Sequence, residues 1–555
     1  MINIYQVLPR LYTNRQGENI PNGTIYENGC GKLNYFTSKV LKCIAKSGYT
    51  HIWYTGVIEH ATKTDYSEYN ISPDHVGVVK GQAGSPYAIK DYYDIDPDLA
   101  VDIPNRMAEF EALVERTHKA HLKVIIDFVP NHVARSYHSD AKPKRVKDFG
   151  QTDNVDWAFS QQNNFYYLPN QHFSPQFDVK GYEEFPAKAT GNDQFSAYPT
   201  TNDWYETVKL NYGVDYCGGK IGYFEPIPDT WNKMRDILLF WAKKGVDGFR
   251  CDMAEMVPVE FWGWVIPQIK KKFKEIIFIA EVYNPNEYRN YIFNGQFDFL
   301  YDKVGLYDTL RAVTRHEASA SQITSCWQSI DDIKSHMLNF LENHDEQRIA
   351  SSFFIGDAWK SIPALVVSAT LHSSPFMVYA GQELGESGMD EEGFSGRDGR
   401  TTIFDYWKVD TLSRQYNDGD FSDDLLSDDE IALRNVYKKI LQLRLKEDAL
   451  QNDASLYDLT WLNFNNSQFD TNKQFAYLRQ NGEQTLLIVV NFADYLVELG
   501  INISAHALQY LNFPLKKMTK VKDLLTGERF KQLLSAESPF AVSVEPRNAR
   551  ILELK

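Results

Sequence analysis

The chain has 555 residues, 43% hydrophobic and 24% charged, with 32 Gly and 22 Pro; this composition is globular and excludes disorder, collagen and coiled coil. Lys and Arg total 58 against 74 Asp and Glu, a net charge of −16, so a nucleic acid or an anionic bilayer would be repelled on average and neither is an expected partner.

Taken in chain order, short apolar, β-branched runs alternate with amphipathic helical stretches. The candidate strands are Ile4–Leu11, Thr50–Val57, Leu122–Pro130, Val246–Met253, Ile276–Val282, Phe297–Tyr301, Met337–Leu341 and Ser374–Tyr379. Several are apolar on both faces, as strands buried in a parallel sheet must be. Between the fourth and its predecessor, Asp229 precedes a helix whose apolar positions are Trp231, Met234, Leu238 and Trp241, closed by Gly245. The basic run Lys270-Lys271-Lys272 with Lys274 reads as a solvated helix face. Eight β/α units with right-handed crossovers close most economically as an α/β (β/α)8 TIM barrel.

Two departures from a plain barrel are expected. More than a hundred residues separate the third strand from the fourth, far beyond one crossover helix. The stretch 133–224 is rich in Tyr, Phe, Asn and Pro and reads as an inserted domain overhanging the C-terminal face of the barrel, whose own parts are 1–132 and 225–451. After a helix over Asp429–Lys446, residues 452–555 alternate strands and tight turns. Gln474–Arg479 and Thr485–Asn491 flank Asn481-Gly482, a hairpin signal, and Thr526-Gly527 marks another turn. This is the pattern of a C-terminal antiparallel β-sandwich.

Neither a solenoid-type repeat nor a long apolar run is present, so no membrane span is expected. Five cysteines, an odd number without CxxC spacing, fit a reducing compartment. The amino terminus lacks the basic and apolar regions of a secretory signal, and a cytoplasmic protein is expected. The oligomeric state is open.

The C-terminal ends of barrel strands are where such folds place reactive groups. Strand three ends Asp127-Phe128-Val129-Pro130-Asn131-His132; strand four reads Gly248-Phe249-Arg250-Cys251-Asp252. Strand five ends Ala280-Glu281-Val282-Tyr283, and strand seven Glu342-Asn343-His344-Asp345. Arg250 and Asp252, two apart on a strand, point to one face. The guanidinium is expected to hold Asp252 ionised, which suits a nucleophile, and crowding by two other carboxylates is expected to leave Glu281 protonated, which suits a proton donor. That pairing is what cleavage of a glycosidic bond with retention requires, at a separation of roughly 5–5.5 Å. Asp345, His132 and His344 would hold sugar hydroxyls and stabilise positive charge at the anomeric carbon. Glu342 reads as structural.

These four segments resemble, in order and spacing, the four signature regions of the α-amylase family of glycoside hydrolases. The resemblance runs from strand one to the C-terminal sandwich. It implies that Asp252 is the nucleophile, Glu281 the acid/base and Asp345 the transition-state stabiliser, with Arg250, His132 and His344 around the reacting sugar. Ser85–Tyr93 is similar to the family stretch whose tyrosine, here Tyr87, stacks under that sugar. Tyr379-Ala380-Gly381-Gln382-Glu383 also matches. The Lys-His pair that many α-amylases carry after the nucleophile is Glu255-Met256 here. Asp252–Val257 is nearer the neopullulanase and cyclomaltodextrinase branch, whereas Glu342–Asp345 has the amylase form. Asn131 matches the family's calcium-ligand asparagine, which implies a structural calcium, while the chemistry requires no cofactor.

The implied function is retaining hydrolysis of α-glucosidic, mainly α-1,4, linkages in starch-like oligo- or polysaccharides, with an α-glucan or maltooligosaccharide as substrate. A glucanotransferase or sugar-isomerising relative would use the same two acids. A non-catalytic glycan-binding barrel is the alternative from outside enzymology.

Overall fold

The computed structural model describes residues 1–555 except 389, 390, 395, 452, 453 and 515. Eight strands, β1 (Asn3–Val7), β2 (His51–Tyr54), β3 (Lys123–Phe128), β4 (Gly248–Cys251), β5 (Ile277–Ala280), β6 (Phe299–Tyr301), β7 (Met337–Phe340) and β8 (Phe376–Tyr379), close into a barrel. Every neighbouring pair is parallel, including the closure of β1 on β8. All eight expected strands are present. The first is shorter than expected because Pro9–Tyr12 turns into a helical turn, the ring of Pro9 pre-setting its first φ.

Alternate residues of the strands fill the inside. Ile4, Trp53, Ile125, Ile279, Tyr301, Leu338, Phe340 and Met377 form one cluster within the barrel, separate from the larger apolar layer between strands and helices. On β4 the inward face carries Gly248, Arg250 and then Asp252. Gly248 is required there because a Cβ would sit 2.7 Å from Ile277 Cγ1 and 3.1 Å from Ile125 Cγ1.

The expected helix before β4 runs Asp229–Lys243. Pro228, and not Asp229, is its N-cap; Asp229 is the first helical residue and pairs with Lys233 one turn on. The helix ends at Gly245, whose φ of 89° terminates it cheaply. The lysine run closes the helix Val259–Lys272, with Lys271 and Lys272 exposed.

Between β3 and that helix, residues 133–224 form no helix, only short antiparallel pairs. The chain leaves through His132–Ala134 and returns through Thr207–Lys209, and these two segments pair with each other. The helix Asp428–Lys446, capped by Ser427 and Glu430 in reciprocal hydrogen bonds, leads to the C-terminal region. There β9 (Ser455–Asp458), β10 (Gln474–Asn481), β11 (Gln484–Asn491), β13 (Lys516–Asp523), β14 (Arg529–Ser535) and β16 (Asn548–Leu554) form an antiparallel sheet, with β12 (Val497–Ile501) and β15 (Phe540–Val544) a second pair. The β10–β11 hairpin turns at Gly482, as Asn481-Gly482 predicts. Residue 452, the expected start of this region, lies outside the described residues. Among the described residues no helix is long and apolar enough to cross a membrane. All five cysteines are free thiols.

Candidate active site

Arg250 is the centre of the site. It is fully buried, its guanidinium carbon 5.3, 5.4 and 5.5 Å from the ring centroids of Trp53, Tyr87 and Tyr301. Its Nη1 donates to Asp252 Oδ1 at 2.7 Å, and its Nη2 lies 2.8 Å from Glu281 Oε2. Asp127 Oδ1 is 3.8 Å from Nη1 and Asp345 Oδ2 is 4.0 Å from Nη2. Four carboxylates from β3, β4, β5 and β7 thus share one cation. Asp252 and Glu281 are linked by one hydrogen bond, the width of a single guanidinium and one ion-pair contact. Both are buried, whereas the Asp345 side chain is 40% exposed.

The electrostatics differ from the sequence expectation. Burial pushes the Asp252 carboxyl well above the usual carboxylate range; Arg250 opposes this, and Glu281 and Asp345 add to it. The guanidinium is therefore a partial counterweight to desolvation, not a charge that dominates the site. Glu281 is not surrounded by carboxylates alone: Met253 N–H and Arg250 meet Oε2, and the Tyr283 hydroxyl meets Oε1 at 2.5 Å. Met253 reaches Glu281 from a left-handed backbone conformation, φ 43° and ψ 43°, a cost of about 1 kcal/mol carried by the site.

His344 and Tyr87 form one wall, their rings stacked at 5.2 Å and 23°. Burial, reinforced by Arg250, drives the His344 pKa well below its usual value, so the imidazole is neutral. Gln6 Nε2 lies 2.8 Å from Nδ1 and, as the donor, places the imidazole proton on Nε2, which faces Asp345 Oδ2 at 3.1 Å and the Tyr87 hydroxyl at 2.5 Å. His132 is buried on the same side, hydrogen-bonded to the backbone of Tyr87 and packed at 5.2 Å against Trp204. The structure therefore brings Arg250, Asp252, Glu281, Asp345, His344 and Tyr87 into one contiguous group and sets His132 at its edge.

Glu342 stands apart: it accepts from Arg348 and from Ile349 N–H, each at 2.7 Å, and is structural. Glu255 accepts from Asn284 N–H at 3.1 Å and so braces the segment after Glu281. Three participants carried no assigned role at the sequence level. Asp127, pushed up to about 6 by burial, binds Trp53 Nε1 and Gly56 N–H through Oδ2, each at 3.1 Å. Gln6 orients His344. Tyr283 lies two residues beyond Glu281, the same spacing that links Arg250 to Asp252, and that spacing was a readable signal.

Asn131 is buried, and its Oδ1 accepts from Lys209 Nζ at 2.7 Å. A divalent cation needs that oxygen and a set of others at 2.3–2.6 Å; with an ammonium already bonded to it, the donor set does not fit one. The one group of His, Cys, Asp and Glu with metal-ligand spacing among the described residues is Glu59, Asp91 and Asp94, whose oxygens lie within 4.8 Å of one another. Lys90, 3.7 Å from Glu59, and Arg106 on Asp94 already supply positive charge there.

A family model for the α-amylase catalytic domain matches residues 6–491. The chain belongs to the α-amylase family. Among its curated relatives, Alpha-amylase 3 of Dictyoglomus thermophilum is 27% identical over 66% of this chain and 68% of its own length. Maltase A1 of Drosophila melanogaster is 25% identical over 45% of this chain, which spans 34% of that relative. Its fold is shared with a noncanonic maltogenic α-amylase from Thermotoga neapolitana, at a TM-score of 0.64 and 18% identity, covering 100% of this chain and 98% of that one. An α-amylase from Geobacillus thermoleovorans, solved with acarbose, gives 0.64 and 19%, with the same coverage. As an α-amylase-family enzyme the protein is a glycoside hydrolase of the retaining type, whose chemistry uses no cofactor.

Proposed function

We propose that this enzyme cleaves α-1,4-glucosidic bonds of starch-like oligosaccharides, with Asp252 as nucleophile, Glu281 as acid/base and Asp345 as stabiliser of the oxocarbenium-like transition state. The observation that carries the assignment is the bridging of Asp252 and Glu281 by the two Nη atoms of Arg250, 2.7 and 2.8 Å away. Arg250 engages Oδ1 of Asp252, which leaves Oδ2 to attack the anomeric carbon. As that C–O bond forms, the bond to the leaving sugar breaks and its oxygen takes the proton of Glu281. The leaving oxygen would meet Glu281 at Oε1, because Oε2 accepts from the Met253 N–H and lies 2.8 Å from Arg250 Nη2, while among the described residues Oε1 accepts from the Tyr283 hydroxyl alone. Water, deprotonated by Glu281, then displaces Asp252 from the glycosyl-enzyme.

Neutral His344 and the Asp345 carboxylate would hold the sugar hydroxyls, His132 would contact the same ring, and the face of Tyr87 not covered by His344 would carry the sugar's C–H face. In this reading 133–224 is the domain overhanging the cleft, 452–555 the C-terminal domain and 1–132 with 225–451 the barrel. The five free thiols favour a cytoplasmic site of action.

A fluorinated α-glucosyl donor that forms the glycosyl-enzyme faster than it is hydrolysed tests the assignment. One glycosyl unit is expected on the peptide containing Asp252, and Asp252→Asn should take up none and turn over nothing. Labelling of another carboxylate, or full activity of Asp252→Asn, refutes it. Transfer to a sugar acceptor uses the same groups; shortening of maltoheptaose supports hydrolysis, whereas accumulation of longer chains would assign the enzyme to transfer.

A further inference from the structure

Where the barrel meets the excursion after β3, three chain segments converge on one buried ammonium. Lys209 Nζ bonds Asn131 Oδ1 at 2.7 Å and Asp193 Oδ1 at 2.5 Å, and lies 5.1 Å from the ring centroid of Tyr216. Lys209 is 2% exposed. Asn131 comes from the end of β3, Asp193 from a loop within the excursion and Lys209 from its returning strand. Asn131 also donates through Nδ2 to Gly191 O at 2.8 Å, so the same amide holds that loop a second time. Lys209 N–H further bonds Ala189 O at 2.9 Å, fixing the backbone from which the ammonium projects.

The amide oxygen of Asn131 is buried and the Asp193 carboxylate beside it is 35% exposed, so a positive charge between the two pairs with both and is desolvated on its inner side. A hard divalent cation could supply it, with oxygen ligands on every side. Here the charge is covalently attached and the gap is filled by the lysine stem, so a divalent ion would have to displace an ammonium from both of its oxygen partners.

We propose that Lys209 is the built-in cation of this junction: it replaces a divalent ion, makes the docking of 133–224 on the barrel independent of metal, and acts as a positioning residue for His132 through its neighbour Asn131. The backbone geometry supports the last point, because His132 pairs directly with Lys209 across the antiparallel ribbon and Asn131 O accepts from Leu210 N–H at 2.9 Å.

The experiment compares thermal unfolding of the full chain and of Lys209→Ala, each with EDTA and with millimolar CaCl2. For the unsubstituted protein the same Tm is expected under both conditions, with no stoichiometric calcium by atomic emission. Lys209→Ala is expected to unfold several degrees lower in EDTA and to recover part of the loss in CaCl2, because Asn131 Oδ1 and Asp193 are then open to an ion. Lys209→Arg, which keeps the charge, should retain a Tm insensitive to calcium. If Lys209→Ala is recovered only unfolded, Lys209→Gln, which keeps most of the stem and drops the charge, carries the same comparison. On a maltooligosaccharide, Lys209→Ala should raise KM by a larger factor than it lowers kcat, which loss of stability alone would not produce at a temperature where the variant is folded. A Tm of the unsubstituted protein that falls on chelation and returns with calcium overturns the proposal. So does a Lys209→Ala variant with unchanged Tm, or one whose loss is indifferent to calcium.

Discussion

Arg250→Met removes the one cation among four carboxylates while keeping an unbranched apolar stem. The charge centres of Arg250 and Asp252 are about 4 Å apart, which at an effective dielectric of about 20 is about 4 kcal/mol of attraction. At 1.36 kcal/mol per pH unit this is about 3 units, and solvent entering the vacated space reduces the expected effect to about 1–3. The sign follows from the role proposed for Asp252. A nucleophile acts ionised, so activity disappears as pH falls through its pKa; Arg250 lowers that pKa against burial, and its loss moves the acidic limb of the kcat/KM profile upward. The assay is release of p-nitrophenol from an α-linked nitrophenyl maltooligosaccharide between pH 4 and pH 9, quenched in base. Arg250→Lys is the control: an ammonium restores charge but cannot fork between Asp252 and Glu281, so the limb should return most of the way while kcat stays low. Unfolding measured alongside should show Arg250→Met about 3–5 kcal/mol less stable above the limb, where buried carboxylates lack a partner, and closer to the unsubstituted protein below it. An acidic limb that coincides in the two proteins, or one that moves down, refutes the reasoning.

Glu281→Gln should lose about 100-fold or more of kcat on maltooligosaccharides yet retain substantial glycosylation of Asp252 by α-glucosyl fluoride, whose leaving group needs no proton; equal losses on both substrates would deny Glu281 the acid role. Asp127, pushed up to about 6 from 3.8, holds its proton more tightly folded than unfolded, so its contribution to stability falls as pH rises between those values, by at most about 3 kcal/mol. Asp127→Asn should flatten the decline of Tm between pH 4 and pH 6.5; a decline of unaltered slope would place the titration elsewhere.

The barrel was legible because its strands are apolar on both faces, and the site because strand ends expose Asp252, Glu281, His344 and Asp345 at fixed offsets. What the sequence hid lies in contacts made across the fold. Asn131 and Lys209 are 78 residues apart and meet because His132–Ala134 pairs with Thr207–Lys209; neither segment alone carries a pairing signal. The arginine's second partner was equally hidden, since its contact with Glu281 depends on the parallel register of β4 with β5 and not on the local Arg250-Cys251-Asp252 spacing. The balance at Asp252 could not be read either: sequence gives the charged neighbour but not the depth of burial that outweighs it. At the start of the Asp229–Lys243 helix, an acidic residue fits either the cap or the first turn, and Pro228 settled the choice by its non-helical ψ of 143° at the cap.

The excursion of 133–224 departs and returns through one narrow paired ribbon. Its two ends are therefore neighbours in space, while Phe149, Phe165 and Tyr167 between them join the main core and Ser139 and Asn164 bond to Asp91 and Asp229. Such a neck is a natural grafting point: a different cassette spliced between Ala134 and Thr207 would keep Asn131, His132 and Lys209, and would have to supply its own partners for Asn131 and Lys209 in place of Gly191 and Asp193.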